Sequence, residues 1–208
     1  MKRLFLTSTA SWVAADIAKK INKKGPRLAF IKTASEAEEG VLDWLENDRN
    51  SLKKVGFKVT DYTITGKTKK QVKSDLKDFD VLFFSGGNTF YLLEKIQQAK
   101  CAKVITDFIK KGKIYIGSSA GSLVAGPDIY PIKDLDNIKK APNIKGYKGL
   151  ELVDFVIFPH WGNDKFKDRY LEYRLEHTYN KKNSLILLTD NSYVEVKNNW
   201  YKIVDVKK

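Results

Sequence analysis

The sequence predicts an α/β fold: a mostly parallel, doubly wound sheet flanked by helices, with a C-terminal β-hairpin. Short β-branched and aromatic runs alternate with segments of helical spacing through the first half of the chain, the order that builds parallel sheets. Val81-Leu-Phe-Phe84 is apolar without interruption, as a strand covered on both faces must be. Lys113-Ile-Tyr-Ile116 runs directly into Gly117-Ser-Ser-Ala-Gly121 and then Ser122-Leu-Val-Ala125, which reads as strand, sharp turn and helix.

Taken in order, Leu4–Thr7 is the first strand and Ser8–Ser11 a loop and helix cap. Val13, Ile17 and Ile21 mark a helical face that stops at Gly25-Pro26. Arg27–Ile31 is the second strand. Ser35-Glu-Ala-Glu38 has the form of a capping box ahead of a helix through Val41, Leu42, Trp44, Leu45 and Leu52. Phe57–Tyr62 alternates as a third strand, and Lys70–Phe79 is a short amphipathic helix. After Val81–Phe84 comes Ser85-Gly-Gly-Asn-Thr-Phe90, with helices over Tyr91–Ala99 and Val104–Lys111.

Gly126–Gly149 lacks periodicity and contains Pro127, Pro131 and Pro142. It reads as a long loop over the active face, functional or mobile. Leu152–Phe158 is an apolar strand ending in Pro159-His160-Trp161-Gly162-Asn163, and Lys165–Thr178 is helical. Leu185–Leu188, Tyr193–Lys197 and Trp200–Val206 are strands, the last two joined at Asn198-Asn199. No repeat or linker divides the chain, so residues 1–208 are expected to form a single domain.

Composition narrows the function. The 208 residues carry a formal charge of +13, but the lysines come as scattered pairs such as Lys19-Lys20, Lys110-Lys111 and Lys181-Lys182. Without a basic block or aromatic-basic alternation this is a solvated surface rather than a nucleic-acid face. No apolar run reaches the roughly 18 residues a membrane span needs, and the stretch from Met1 to Ser8 is too short for a signal peptide. The single cysteine, Cys101, sits in a lysine-dotted helix without turn chemistry. It reads as structural and fits a cytoplasmic location.

Gly117–Gly121 fits G-x-S-x-G, the nucleophile elbow, in which a serine sits at the tip of a strained turn with its hydroxyl exposed. Ser119 is the nucleophile this implies. The plainer alternative is a Gly/Ser turn at a helix N-terminus. A serine needs a base to take its proton. Of the two histidines, His177 lies late in a charged helix, whereas His160 follows a buried strand at the end of the sheet where the elbow should lie. Asp190, in Leu188-Thr-Asp-Asn-Ser192, is at another strand-to-turn position and suits the acid that orients the imidazole. Asp134, Asp136, Asp154 and Asp164 compete with it, and Asp164 is better read as an N-cap. The oxyanion hole needs backbone N–H groups near the serine, which Ala120 and the Gly86-Gly87 turn can supply.

Ser85-Gly-Gly-Asn-Thr-Phe90, Gly117-Ser-Ser-Ala-Gly121 and Pro159-His160, in this order, resemble the α-aspartyl dipeptidase (dipeptidase E) family of serine peptidases, to which cyanophycinase is related. The likeness spans nearly the whole chain. It implies a fold like class I glutamine amidotransferases, peptide hydrolysis without metal or cofactor, and a short peptide as partner rather than nucleic acid or membrane; a homodimer stays open. By motif, Ser119 takes the place of the nucleophile, His160 of the base, and Gly87 and Ala120 of the oxyanion donors. Asp190 falls where the dipeptidase has a glutamate. Asn88, Arg169 and Arg174 fall among the substrate-binding positions.

The family's aspartate specificity rests on an arginine in the segment after the histidine. Arg174 aligns with a different basic residue of that pattern, which leaves Leu171 at the arginine's place. A shift of two residues brings Arg169 there instead. The ungapped helix phase favours the first alignment, and with it neutral or apolar N-terminal residues over aspartate.

Overall fold

The structure, a computed structural model, describes residues 1–133, 135–179 and 184–207, without the side chains at 173, 174 and 177. Asp134 and the side chains of Arg174 and His177 therefore lie outside the described residues. A seven-stranded sheet runs in the order β3-β2-β4-β5-β1-β8-β9. Its strands are β1 (Arg3–Thr7), β2 (Arg27–Ile31), β3 (Lys58–Tyr62), β4 (Val81–Phe84), β5 (Ile114–Ser118), β8 (Ser192–Lys197) and β9 (Trp200–Asp205). The first five are parallel, and the β8–β9 hairpin adds antiparallel to β1. Two strands, β6 (Phe155–Phe158) and β7 (Ser184–Leu187), form a separate parallel pair.

Period-two alternation divides the sheet's side chains between two cores. Phe5, Leu28, Phe30, Phe83 and Ile116 face α1 (Ala10–Ile21) and α2 (Asp43–Lys54). Leu4, Leu6, Ala29, Leu82, Phe84 and Tyr115 face the other layer, built from α3 (Lys69–Asp75), α4 (Thr89–Gln98), α5 (Ala102–Lys110), α6 (Ala120–Leu123) and the β6–β7 pair. The expected helical face of α1 is buried at Val13, Ile17 and Ile21. Among the described residues no helix is long and apolar enough to cross a membrane.

Several local expectations are corrected. Ser35 does not cap a helix: Thr33–Ala37 is a 3-10 turn in which Ser35 Oγ donates to Lys32 O, and α2 starts at Asp43. The capping box belongs to Thr68 and Gln71, ahead of α3. Leu152 and Val153 precede β6 as bent backbone but are buried in the same core as β6, with Leu152 N–H and Val153 N–H donating to Ala125 O at the end of the elbow helix. The helix after His160 starts as α7 (Asp164–Asp168), widens into a π-helical turn over Arg169–Arg174 and closes as α8 (Leu175–Thr178). The wide turn coincides with Tyr170 being drawn inward, its hydroxyl donating to Pro159 O.

The segment from Gly126 to Gly149 is a loop with short 3-10 turns, and it is tied down. Ile129, Ile132 and Ala141 are buried. Asn143 N–H donates to the buried Glu94 carboxylate at 2.6 Å, and Thr89 N–H to Asp136 Oδ2 at 2.8 Å. These bonds hold the loop against α4 beside Gly86-Gly87.

Candidate active site

Parallel strands deliver their carboxyl ends to one edge of the sheet, and ligands gather there. The β4–β5 register pairs Phe84 with Gly117, and the β1–β5 register pairs Thr7 with Ser118. Gly86-Gly87, Ser8-Thr9 and Ser119 are thereby brought together. The β6–β7 register pairs Phe158 with Leu187, so His160 and Asp190 emerge side by side from the smaller pair.

Ser119 has φ 47° and ψ −107°, a backbone conformation that costs on the order of 1–3 kcal/mol for a residue with a side chain. Its surroundings impose it. Ser119 N–H donates to Thr7 O at 3.0 Å, and Ser119 O accepts from Ser122 N–H and Leu123 N–H at 2.8 and 3.0 Å. Ser122 Oγ lies 2.7 Å from Thr7 O and 2.9 Å from Gly117 O, and Tyr115 OH donates to Gly121 O at 2.6 Å. The flanking glycines are a steric requirement. A β-carbon on Gly121 would stand 2.1 Å from Phe84 O, and one on Gly117 2.6 Å from the Gly121 carbonyl carbon. Strand and helix could not meet around larger residues.

His160 Nε2 lies 3.0 Å from Ser119 Oγ, and His160 Nδ1 lies 2.6 Å from Asp190 Oδ1. With the imidazole proton on Nδ1, that nitrogen donates to Asp190 while Nε2 accepts from the serine hydroxyl. His160 itself has φ 61°. It is held by its N–H on Ser8 Oγ at 3.1 Å, and its ring stacks on Phe166 at 4.5 Å between centroids. Asp190 also receives Thr9 Oγ1 at 2.9 Å and Asn163 Nδ2 at 2.8 Å. Burial pushes its carboxyl up, but the bonds from His160, Asn163 and Thr9 outweigh this and bring it down to about 2. Asp190 is therefore an anion at any working pH.

Of the competing acids among the described residues, Asp136 is engaged elsewhere, accepting from Thr89. Asp164 is the first residue of α7. The N-cap of α7 is Asn163, whose Oδ1 accepts from Lys165 N–H at 3.1 Å, and not Asp164 as expected. Cys101 is buried, and burial pushes its thiol up to about 12, so it is an inert core residue.

Gly87 has φ +119°, and a β-carbon there would lie 2.3 Å from Ala34 O. A β-carbon on Gly86 would lie 3.5 Å from Ser119 Cβ, so this turn stands directly beside the elbow. Among the described residues, neither Gly87 N–H nor Ala120 N–H donates to a protein acceptor. Asn88 has both ends of its amide occupied: Oδ1 caps α4 by accepting Tyr91 N–H at 2.9 Å, and Nδ2 donates to Asn137 O at 3.0 Å. Arg169 extends toward the 126–149 loop, its Nη1 3.5 Å from Leu135 O and its guanidinium 5.9 Å from the Phe166 ring. Leu171 lines a cavity of about 290 Å³ with Trp161, Asn163, Lys167 and Tyr170.

Sequence reasoning did not single out Ser8, Thr9, Asn163 or Asp48. Asp48, on α2, is buried behind the elbow and accepts Ser118 Oγ at 2.8 Å and Ser11 N–H at 2.7 Å. Burial pushes its carboxyl up to about 6 despite those bonds. Ser8 and Thr9 had a signal available, since they directly follow a strand at the ligand-binding edge. Asp48 had one too, since it falls on the helix face of Leu45 and Leu52, three residues after the first and four before the second, but that spacing does not name its partners.

Peptidase family S51 matches residues 4–204 of the chain. The chain is 37% identical over 169 residues to an uncharacterized peptidase of Listeria monocytogenes, an alignment covering 81% of this chain and 82% of that protein. It is 36% identical over 88 residues to peptidase E of Shewanella oneidensis, which covers 42% of this chain and 36% of that protein. A crystal structure presented as that of a peptidase E protein from Listeria monocytogenes EGD-e superposes with a TM-score of 0.91 at 30% identity, covering 100% of both chains. A peptidase from an acI-B1 actinobacterium shares the fold at a TM-score of 0.75 and 17% identity, over 99% of this chain and 88% of that one. With the family match spanning both the elbow strand and the histidine loop, the chain belongs to peptidase family S51 and is a serine-type peptidase of the dipeptidase E family.

Proposed function

We propose that the chain hydrolyses short peptides through an acyl-enzyme formed on Ser119, with His160 as base and Asp190 as the acid that orients it. The observation that carries this reading is the continuous hydrogen-bond chain from Ser119 Oγ through His160 to Asp190, at 3.0 and 2.6 Å. As Ser119 Oγ attacks the peptide carbonyl carbon, its proton passes to His160 Nε2. The imidazolium so formed faces an anion already in place. The carbonyl oxygen becomes an oxyanion, received by Ala120 N–H and Gly87 N–H. His160 then gives its proton to the leaving amine as the C–N bond breaks. A water activated by the same imidazole attacks the ester, and the carboxylic product leaves with Ser119 restored.

The preference for short substrates is supported by the 126–149 loop, which is fastened along the Gly87 side of the cleft through Asn137 and Asp136. The test is a dipeptide-library screen, wild type against Ser119→Ala, with a fluorophosphonate probe mapped by peptide mass. Ser119→Ala is expected to lose on the order of 10⁴–10⁶ in turnover, with thermal unfolding unchanged and no label. Labelling at another serine, or near-normal turnover in Ser119→Ala, overturns the assignment.

A further inference from the structure

Thr9 stands at the N-cap of α1 with the extended backbone of a cap, φ −132° and ψ 108°, yet its side chain caps nothing. A threonine there ordinarily turns its oxygen back on the first helical N–H groups. Here Oγ1 donates outward to Asp190 Oδ1 at 2.9 Å. The helix is capped by its neighbours. Ser118 Oγ accepts Ala10 N–H at 3.3 Å, and Asp48 Oδ1 accepts Ser11 N–H at 2.7 Å. α1 has no acid in its own first turn, so the buried Asp48 also supplies the negative charge that its positive end favours. With the cap provided from outside, the Thr9 hydroxyl is free for another task.

The reacting groups straddle two sheets: Ser119 on the large one, His160 and Asp190 on the β6–β7 pair. Thr9 belongs to the large sheet's side, two residues beyond the Thr7–Ser118 pairing. Its bond to Asp190 spans the joint, next to the bonds Ser8 makes to His160 N–H at 3.1 Å and to Leu188 O at 2.8 Å. Asp190 sits in a turn beyond β7, so donors from other segments must hold its carboxylate.

We infer that Thr9 is a positioning residue of the peptidase reaction. Its hydroxyl, with the Asn163 amide, fixes the Asp190 carboxylate where it receives His160 Nδ1. This rests on Asp190 being the acid of the triad. The test compares Thr9→Val, which keeps the shape and removes the hydroxyl, with Thr9→Ser, which restores it, each in wild-type and Asp190→Asn backgrounds. Steady-state kinetics on a cleaved dipeptide and urea unfolding are measured for every variant.

Thr9→Val is expected to lower kcat between about tenfold and a hundredfold, as one hydrogen bond to a charged group would, with KM changed less than about twofold and the unfolding midpoint lowered only as far as loss of that one bond requires. Thr9→Ser recovers most of the loss. In the Asp190→Asn background Thr9→Val costs less than about twofold, because the residue acts through Asp190. An unchanged kcat in Thr9→Val, or an equal loss in both backgrounds, overturns the proposal, the second by showing that Thr9 does not act through Asp190. Near-wild-type turnover in Asp190→Asn itself removes the acid assignment, and this proposal with it, whatever Thr9 does.

Discussion

Raising the pH from about 4 to 8 places a negative charge in the space behind the Ser119 elbow, and Asp48 sets what that charge costs. Its carboxyl is fully enclosed, and burial raises it from an ordinary 3.8 to about 6. At 1.36 kcal/mol per pH unit the gap is worth about 3 kcal/mol. The folded state holds the proton more tightly, so the full stability is present below about pH 4. As the pH rises from about 4 to 6 the unfolded chain gives up its proton first, and stability is lost over that window. The titratable neighbour is His160, whose positive form favours the carboxylate. Asp48→Asn stays neutral throughout. An amide oxygen still accepts Ser11 N–H, and Ser118 Oγ, which loses its carboxylate acceptor, has Ser8 O at 3.4 Å. Urea unfolding of both proteins across that range isolates Asp48 together with its coupling to His160, since titrations that do not interact with Asp48 cancel in the difference. The variant is expected to gain about 3 kcal/mol on wild type between pH 4 and 8. A difference that stays constant within about 0.5 kcal/mol across the range would refute the reasoning, because no proton would then be linked to folding at this site.

Gly87→Ala is expected to destabilise the fold by about 2–3 kcal/mol, as its β-carbon would meet the Ala34 carbonyl at 2.3 Å, and to lower kcat by roughly 10²–10³ through a displaced oxyanion donor; unfolding curves and kinetics near wild type would sink the Gly87 assignment. For substrate choice, Leu171 lines the cavity beside Asn163 while Arg169 is turned to Leu135 and Phe166. Wild-type enzyme is therefore expected to cleave Ala-Leu at least as well as Asp-Leu, with Arg169→Ala altering the two equally, and a selective loss of Asp-Leu cleavage in that variant would show the opposite.

The sheet and the elbow were legible because their signals are local. Strand composition, the glycines around Ser119 and the uninterrupted Val81–Phe84 run each follow from what a short stretch of backbone needs sterically. The pairing of β4 with β5, which brings Gly86-Gly87 beside the elbow, follows from chain order. The sequence could not show that the Leu152–Phe158 and Leu185–Leu188 segments leave the main sheet to pair with each other, since an apolar strand reads the same in either sheet. Ser35 was misread because a Ser-x-x-Glu pattern is equally at home in a 3-10 turn, where Ser35 Oγ serves Lys32 O instead of a helix. Thr9 and Asp48 were hidden for a different reason. Their roles arise from contacts across the chain, between segments that sequence spacing does not relate.

Both Ser119 and His160 hold positive φ angles, 47° and 61°, in side chains that ordinarily avoid that region. The cost, on the order of 1–3 kcal/mol each, has to be offset by contacts that vanish if either residue relaxes. For Ser119 these are the bonds of its own N–H and C=O and the glycine contacts that close strand on helix. For His160 they are the bonds to Ser8, Ser119 and Asp190, with Trp161 N–H on Leu188 O at 3.0 Å just beyond. Thr7 O accepts Ser119 N–H, Ser8 Oγ accepts His160 N–H and Thr9 Oγ1 donates to Asp190, so one short segment ties the elbow to the histidine and to the aspartate. The strain is thus held by the same segment that aligns the groups, so in the proposed mechanism the Ser119 hydroxyl and His160 meet before substrate arrives. Little reorganisation is then left for the chemical step, which is where a preorganised site gains its rate.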